Sequence, residues 1–151
     1  MRVSTSPDFL QSVANDPRVF PAIASKGRGA FDLSVFWGDC IGLEFETGGW
    51  VFHHIAPGVY DAHTLFLPKS VDVRGKAREA LRYMFTHGAT EILGRIPVDL
   101  PHARRLARDM GLTYLRPLDM TVQRESGPVP LHEYHLTRQA WESQLPESDN
   151  A

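Results

Sequence analysis

Tyr60-Asp-Ala-His-Thr-Leu-Phe-Leu67, broken by Pro68-Lys69 and followed by Arg74-Gly75-Lys76 at the head of an Ala/Leu/Met-rich run, decides the fold of this chain. The first eight residues are apolar and β-prone, and the proline ends them. From Ala77 the period changes: Ala77, Ala80, Leu81, Met84 and Phe85 fall on one helical face, and Gly88 marks its end. Extended to Leu115, the order is strand, turn, helix, strand, helix, strand. A strand feeding a basic, glycine-containing helix start is a natural anion site. The first amides of a helix have no helical partner and carry partial positive charge.

Upstream of this stretch the signals are β. Phe31–Trp37 and Ile41–Phe45 alternate apolar and polar residues, and Thr47-Gly48-Gly49 reads as a hairpin into Trp50–Ile55. Ala56-Pro57-Gly58 turns the chain into Val59–Leu67, so an antiparallel meander is expected. Residues 1–30 are polar, with a helix expected after Ser6-Pro7-Asp8 and a short one over Arg18–Ala24. Downstream, Glu91–Val98, Leu112–Leu115 and Leu131–Leu136 read as strands. Helices are expected after Pro101 and around Gln139–Leu145, with Val122–Pro130 as a loop. Residues 1–145 read as one domain and Pro146–Ala151 as a disordered tail.

The chain has 151 residues, enough for one domain with a real core, and a formal net charge of −2. Near-neutrality argues against a nucleic-acid binder. A single cysteine, Cys40, excludes an intramolecular disulfide and reads as structural. No apolar run approaches the roughly 18 residues of a membrane span, and no secretory signal opens the chain, so a soluble protein of the cytoplasm is expected. The seven histidines form neither His-x-His nor His-Glu-x-x-His, so no metal site is expected.

Two motifs carry a resemblance. Arg74-Gly75-Lys76-Ala77-Arg78-Glu79 resembles the Arg/Gln-x-x-Gly-x-Gly/Ala phosphate motif of the GNAT N-acetyltransferase superfamily, with Ala77 and Glu79 in the small-residue places. Leu100-Pro-His-Ala103-Arg-Arg-Leu106-Ala107-Arg-Asp-Met-Gly111-Leu112 is similar to that family's Asn-x-x-Ala-x-x-Leu-Tyr-x-x-x-Gly-Phe. It keeps Ala103, Leu106 and Gly111 and replaces the asparagine by Leu100 and the tyrosine by Ala107. Asp61-Ala-His63 with Arg74-Gly75 also looks like divergent GNAT-like proteins of bacteriophages, some of them virion components.

The resemblance implies an α+β, three-layer α/β/α fold with a mixed, mostly antiparallel sheet. It implies acetyl-CoA as acyl donor, in a gap between the strand ending at Pro68 and the strand Glu91–Val98, and a small-molecule or peptide amine as acceptor. Leu65, Phe66 and Leu67 would hold the pantetheine arm, with an oxyanion donor near Leu65. Backbone amides of Gly75, Lys76, Ala77 and Arg78, together with Arg74, would hold the pyrophosphate. A homodimer is a habit of the family. The rival expectation is a fold that has lost catalysis, as Glu79, Leu100 and Ala107 suggest, and that binds a partner such as virion proteins.

The base candidates are His63, His54, His53 and Glu46, since a neutral imidazole suits proton abstraction near pH 7. His63 leads, because its strand runs into the phosphate turn. His53 and His54 are adjacent on one strand and must point to opposite faces. Tyr114 or Tyr83 could replace the missing acid.

Overall fold

The computed structural model describes residues 1–146. Among them, seven strands form one sheet in the order β1-β2-β3-β4-β5-β7-β6. The strands are β1 (Arg2–Val3), β2 (Cys40–Phe45), β3 (Gly48–Ala56), β4 (Val59–Phe66), β5 (Glu91–Pro97), β6 (Thr113–Arg124) and β7 (Gly127–Thr137). The helices are α1 (Asp8–Ala14), α2 (Phe20–Ile23), α3 (Val73–Thr86), α4 (Pro101–Asp109) and α5 (Arg138–Gln144). Only β4 and β5 run parallel; every other pair is antiparallel. The expected tail lies outside the described residues except for Pro146.

Two cores sandwich the sheet, because successive strand residues face opposite sides. Trp50 and Phe52 of β3 pack with Ala77, Ala80, Leu81, Met84 and Phe85 of α3 and with Trp141 of α5. Val51 of β3 and Leu65 of β4 pack with Leu10, Val13 and Ala14 of α1 on the other face. The helical face read from Ala77 to Phe85 is therefore the buried one. Gly88, at φ 104°, adopts the left-handed conformation that ends α3, and Ala89 N–H closes it on the Met84 carbonyl.

Three sequence expectations are corrected. Phe31–Trp37 is no strand; it forms 3-10 turns at Leu33–Val35 and Trp37–Asp39. Its backbone is claimed by α1 and its flank: Asn15 Oδ1 takes Phe31 N–H at 2.8 Å, and Gln11 Oε1 takes Leu33 N–H at 2.8 Å. Asp32 caps Ser34, and Val35 is left exposed. These bonds tie the segment to α1 and to itself rather than to a sheet neighbour. The expected loop over Val122–Pro130 is instead the tip of the β6–β7 hairpin, and β6 extends well past Leu115. Its Pro117 is tolerated because β6 is an edge strand. Pro128 and Pro130 sit where β7 has run beyond the end of β5, so their ring nitrogens break no inner ladder. Finally, Arg2–Val3 pairs with β2, a strand the polar N-terminus gave no sign of.

Candidate functional site

β4 and β5 meet at Val59, Tyr60 and Asp61 and then part. Beyond Asp61, β4 keeps its register on β3 while β5 follows β7, so a gap opens between Ala62–Phe66 and Gly94–Pro97. A gap within a sheet leaves strand amides without partners. Which amides face it follows from two observations. Leu67 N–H donates to Thr47 O at 3.0 Å, toward β3. The Leu65 carbonyl oxygen lies so close to Gly48 that a Cβ there would collide with it. In a strand, N–H and C=O of one residue point the same way and alternate along the chain. The amides of Thr64 and Phe66 therefore face the gap, and that of Leu65 faces β3. Leu65 also buries its side chain against α1. The expectation that Leu65 turns its amide into the gap is corrected: that amide faces β3, and those of its neighbours Thr64 and Phe66 face the gap. The Leu67 amide is likewise taken, by Thr47 in the β2–β3 turn, while Phe66 packs edge-on against Trp50 at a centroid distance of 4.9 Å.

The N-terminus of α3 stands beyond the end of β4. The helix begins at Val73, so the amides without a helical carbonyl partner are those of Val73, Arg74 and Gly75 rather than Gly75 to Arg78. Lys76 N–H already donates to Asp72 O at 3.1 Å. Gly75 N–H is also taken: Asp72, in the left-handed conformation at φ 50°, places its carboxylate on it at 3.1 Å. The side chain of Ala77 is buried in the core, and Arg78 is exposed. Arg74 pairs with Asp109 of α4 at 2.7 Å, and Lys76 Nζ donates to Val71 O at 2.5 Å. Glu79 lies 3.8 Å from the Met1 amino group. Between α3 and α4 runs a cleft of about 420 Å³, lined by Ser70, Asp72, Val73, Arg74, His102, Arg105, Leu106 and Asp109. Three basic and two acidic side chains share it. Ala107 is buried, and Leu100 precedes the first turn of α4.

Where the strands part, on the face that carries α1, lies a second constellation. Asp61 is 5% exposed, and its Oδ1 has no hydrogen-bond partner. His63 Nε2 lies 3.5 Å from its Oδ2. Burial pushes the Asp61 carboxyl above its usual range; His63, Arg95 and His53 pull it back, and Glu133 adds to the rise. For His63, removal from water lowers the pKa and Asp61 opposes that, so the ring stays neutral near pH 7. With 53% of its side chain exposed, the imidazole remains reachable from solvent. Arg95 of β5 reaches toward Asp61 and toward Glu133 of β7, which Arg116 of β6 also holds.

The other base candidates sit elsewhere. His53 pairs across the ladder with Asp61 and packs on Phe36. His54 points to the opposite face, against Tyr60. Glu46 lies in the β2–β3 turn, at the far end of β4 from Asp61. Tyr83 stacks on His87 late in α3, and Tyr114 packs on His132 and Tyr134. Burial pushes the Cys40 thiol up to about 11, which leaves it unreactive near neutral pH. Among the described residues, no group of three or more His, Cys, Asp and Glu side chains could hold a metal ion. No helix among them is long and apolar enough to cross a membrane.

The sequence candidates include His63 and the α3 head but not Arg95, Glu133, Arg116 and Asp72, which the structure brings beside them. The first three come from strands far apart in the chain, and no local spacing links them.

No protein-family model and no curated protein matches this sequence. Solved structures do. The spermidine N-acetyltransferase of Vibrio cholerae, crystallised with CoA and spermine, superposes with a TM-score of 0.70 at 13% identity, over 93% of this chain and 96% of that one. The fold is an N-acetyltransferase fold. A dodecameric structure of the same enzyme gives 0.61 at 15% identity over 72% of each chain. A chimeric form gives 0.58 at 15% identity, where this chain spans 62% of its partner's length, less than two thirds. At these identities the likeness is one of fold.

Proposed function

We propose that this protein is an acyl-coenzyme A-dependent N-acetyltransferase that acts on an amine. The observation that carries the proposal is the gap between β4 and β5, with the amides of Thr64 and Phe66 turned into it and a helix N-terminus beyond it. A pantetheine arm carries amide groups that can pair with such a strand edge. The residues fit the coenzyme in two degrees. The gap offers free strand amides; the α3 head offers Val73 and Arg74 amides plus the Arg74 and Lys76 side chains, and gains Gly75 when Asp72 swings away.

The coenzyme supplies a thioester. The chain supplies position, an oxyanion donor at Thr64 or Phe66, and a base. With Nε2 facing Asp61, the Nδ1 of His63 is free to take one proton from the acceptor ammonium. The amine nitrogen then bonds to the acyl carbon as the C–S bond breaks. The remaining excess proton on nitrogen passes to the departing thiolate.

The test is thermal and kinetic. Acetyl-CoA raises the melting midpoint saturably, because it binds the folded state; Arg74→Ala shrinks that rise. With an acceptor present, His63→Gln lowers kcat about 100-fold and leaves the coenzyme Kd alone. A midpoint unmoved by millimolar acetyl-CoA would overturn the assignment. It would favour a second reading, a partner-binding protein that has kept the fold, for which the Asp72 carboxylate on Gly75 and the buried Ala107 speak.

A further inference from the structure

The cleft between α3 and α4 has two walls. One is the head of α3, with Val73 and Arg74. The other is a single face of α4, where His102, Arg105, Leu106 and Asp109 recur at helical spacing. Its volume of about 420 Å³ falls within the roughly 300–1,000 Å³ of small-molecule sites.

The charges in the cleft are unevenly satisfied. Asp109 is held by Arg74 at 2.7 Å, and Asp72 accepts from the Gly75 amide, so both carboxylates are engaged. The side chains of His102 and Arg105 have no hydrogen-bond or ion-pair partner among the described residues. Leu100 gives α4 no side-chain cap, so nothing from that residue offsets the positive end of the helix, beside His102. The head of α3 therefore carries its own anion, whereas the donors of α4 carry none. Val73 and Leu106 add a half-buried apolar strip.

A coenzyme whose pyrophosphate lies at Arg74 sends its ribose and adenine onward from that point. The ribose bears a 3′-phosphate, a monoester that is mostly doubly ionised near pH 7. A guanidinium fork pairs with such a group through two parallel N–H···O bonds. The free donors of α4 suit the phosphate, and the apolar strip suits the base.

Resting on the N-acetyltransferase reading, we infer that this cleft recognises the nucleotide end of the coenzyme: Arg105, with His102, receives the 3′-phosphate, and the adenosine lies against Val73 and Leu106. The protein then selects 3′-phosphorylated coenzyme over its dephospho form, and it does so with α4 rather than with the α3 head.

The experiment titrates the full chain by calorimetry with acetyl-CoA and with acetyl-3′-dephospho-CoA. The expected result is acetyl-CoA bound about 30-fold more tightly, the worth of charge-assisted hydrogen bonds to one phosphate. Arg105→Gln reduces that ratio to below about threefold, while its affinity for the dephospho form and its melting midpoint stay at wild-type values. Arg105→Lys, which keeps the charge and loses the fork, recovers part of the ratio. Arg108→Gln, which removes the same charge from α4 outside the cleft, keeps the full ratio. Equal affinity of the wild type for the two forms, an unchanged ratio in Arg105→Gln, or an equal loss in Arg108→Gln would overturn the proposal and leave the N-acetyltransferase reading intact. A protein that binds neither form would overturn both.

Discussion

The two ends of the β4–β5 gap are built differently. At the inner end, Asp61 and Glu133 are buried, Arg116 and Arg95 come from neighbouring strands, and the ladder fixes all four. At the outer end, around an open cleft, Arg74 pairs with Asp109 and Asp72 accepts from the Gly75 amide. The inner end is preorganised, so its charges add little entropy cost on binding but a large cost if one partner is lost. The outer end is held by its own carboxylates, which a coenzyme phosphate would have to displace. Chemistry placed on rigid strands and recognition placed on a rearranging helix start would give an enzyme with an exact acceptor site and modest coenzyme affinity.

Substitutions at the two ends should break this contrast in different currencies. Arg116→Ala removes the only side-chain hydrogen bond the buried Glu133 carboxylate accepts, leaving it Arg95 at 3.5 Å, and should cost about 3 kcal/mol of stability, read from urea denaturation. A loss under about 0.5 kcal/mol would mean that the inner end is no more fixed than a surface pair. Asp72→Asn keeps a capping side chain that tolerates the left-handed conformation but removes the negative charge. It should tighten acetyl-CoA about fivefold, about 1 kcal/mol, by calorimetric titration, with the melting midpoint nearly unchanged. Weaker binding would show that Asp72 helps the coenzyme rather than competing with it.

The smallest effect concerns pH. Burial raises the Asp61 pKa, so folding is favoured by the protonated form, and that contribution is lost as pH rises through the raised value. Asp61→Asn should therefore melt slightly higher than the wild type at neutral pH, by less than about 1 kcal/mol, with the advantage shrinking as the solution is acidified. A difference that grows on acidification would place the dominant interaction with Arg95 rather than with burial.

Much of the fold was legible because local signals and packing agreed. The α3 face from Ala77 to Phe85, the stop at Gly88 and the hairpin at Gly48-Gly49 each follow from period or turn chemistry, and each forms. Phe31–Trp37 misled because its alternation is real but its backbone donors are taken by Gln11 and Asn15, about twenty residues upstream. The β6–β7 tip misled because proline and polar residues read as loop, although an edge strand accepts both. The site was legible only where chemistry lies along one strand, as in Asp61-Ala-His63. Arg95, Arg116 and Glu133 join it through register alone, and Asp72 acts through a cap that sequence spacing does not disclose.

The central claim, that coenzyme lies along β4 in the gap, is tested most directly by amide hydrogen exchange followed by NMR, with and without saturating acetyl-CoA. The account predicts slowed exchange at Thr64 and Phe66, whose amides face the gap, and no change at Leu65, which is already bound to β3. Slowing at Leu65 alone, or exchange unchanged at all three, would contradict it.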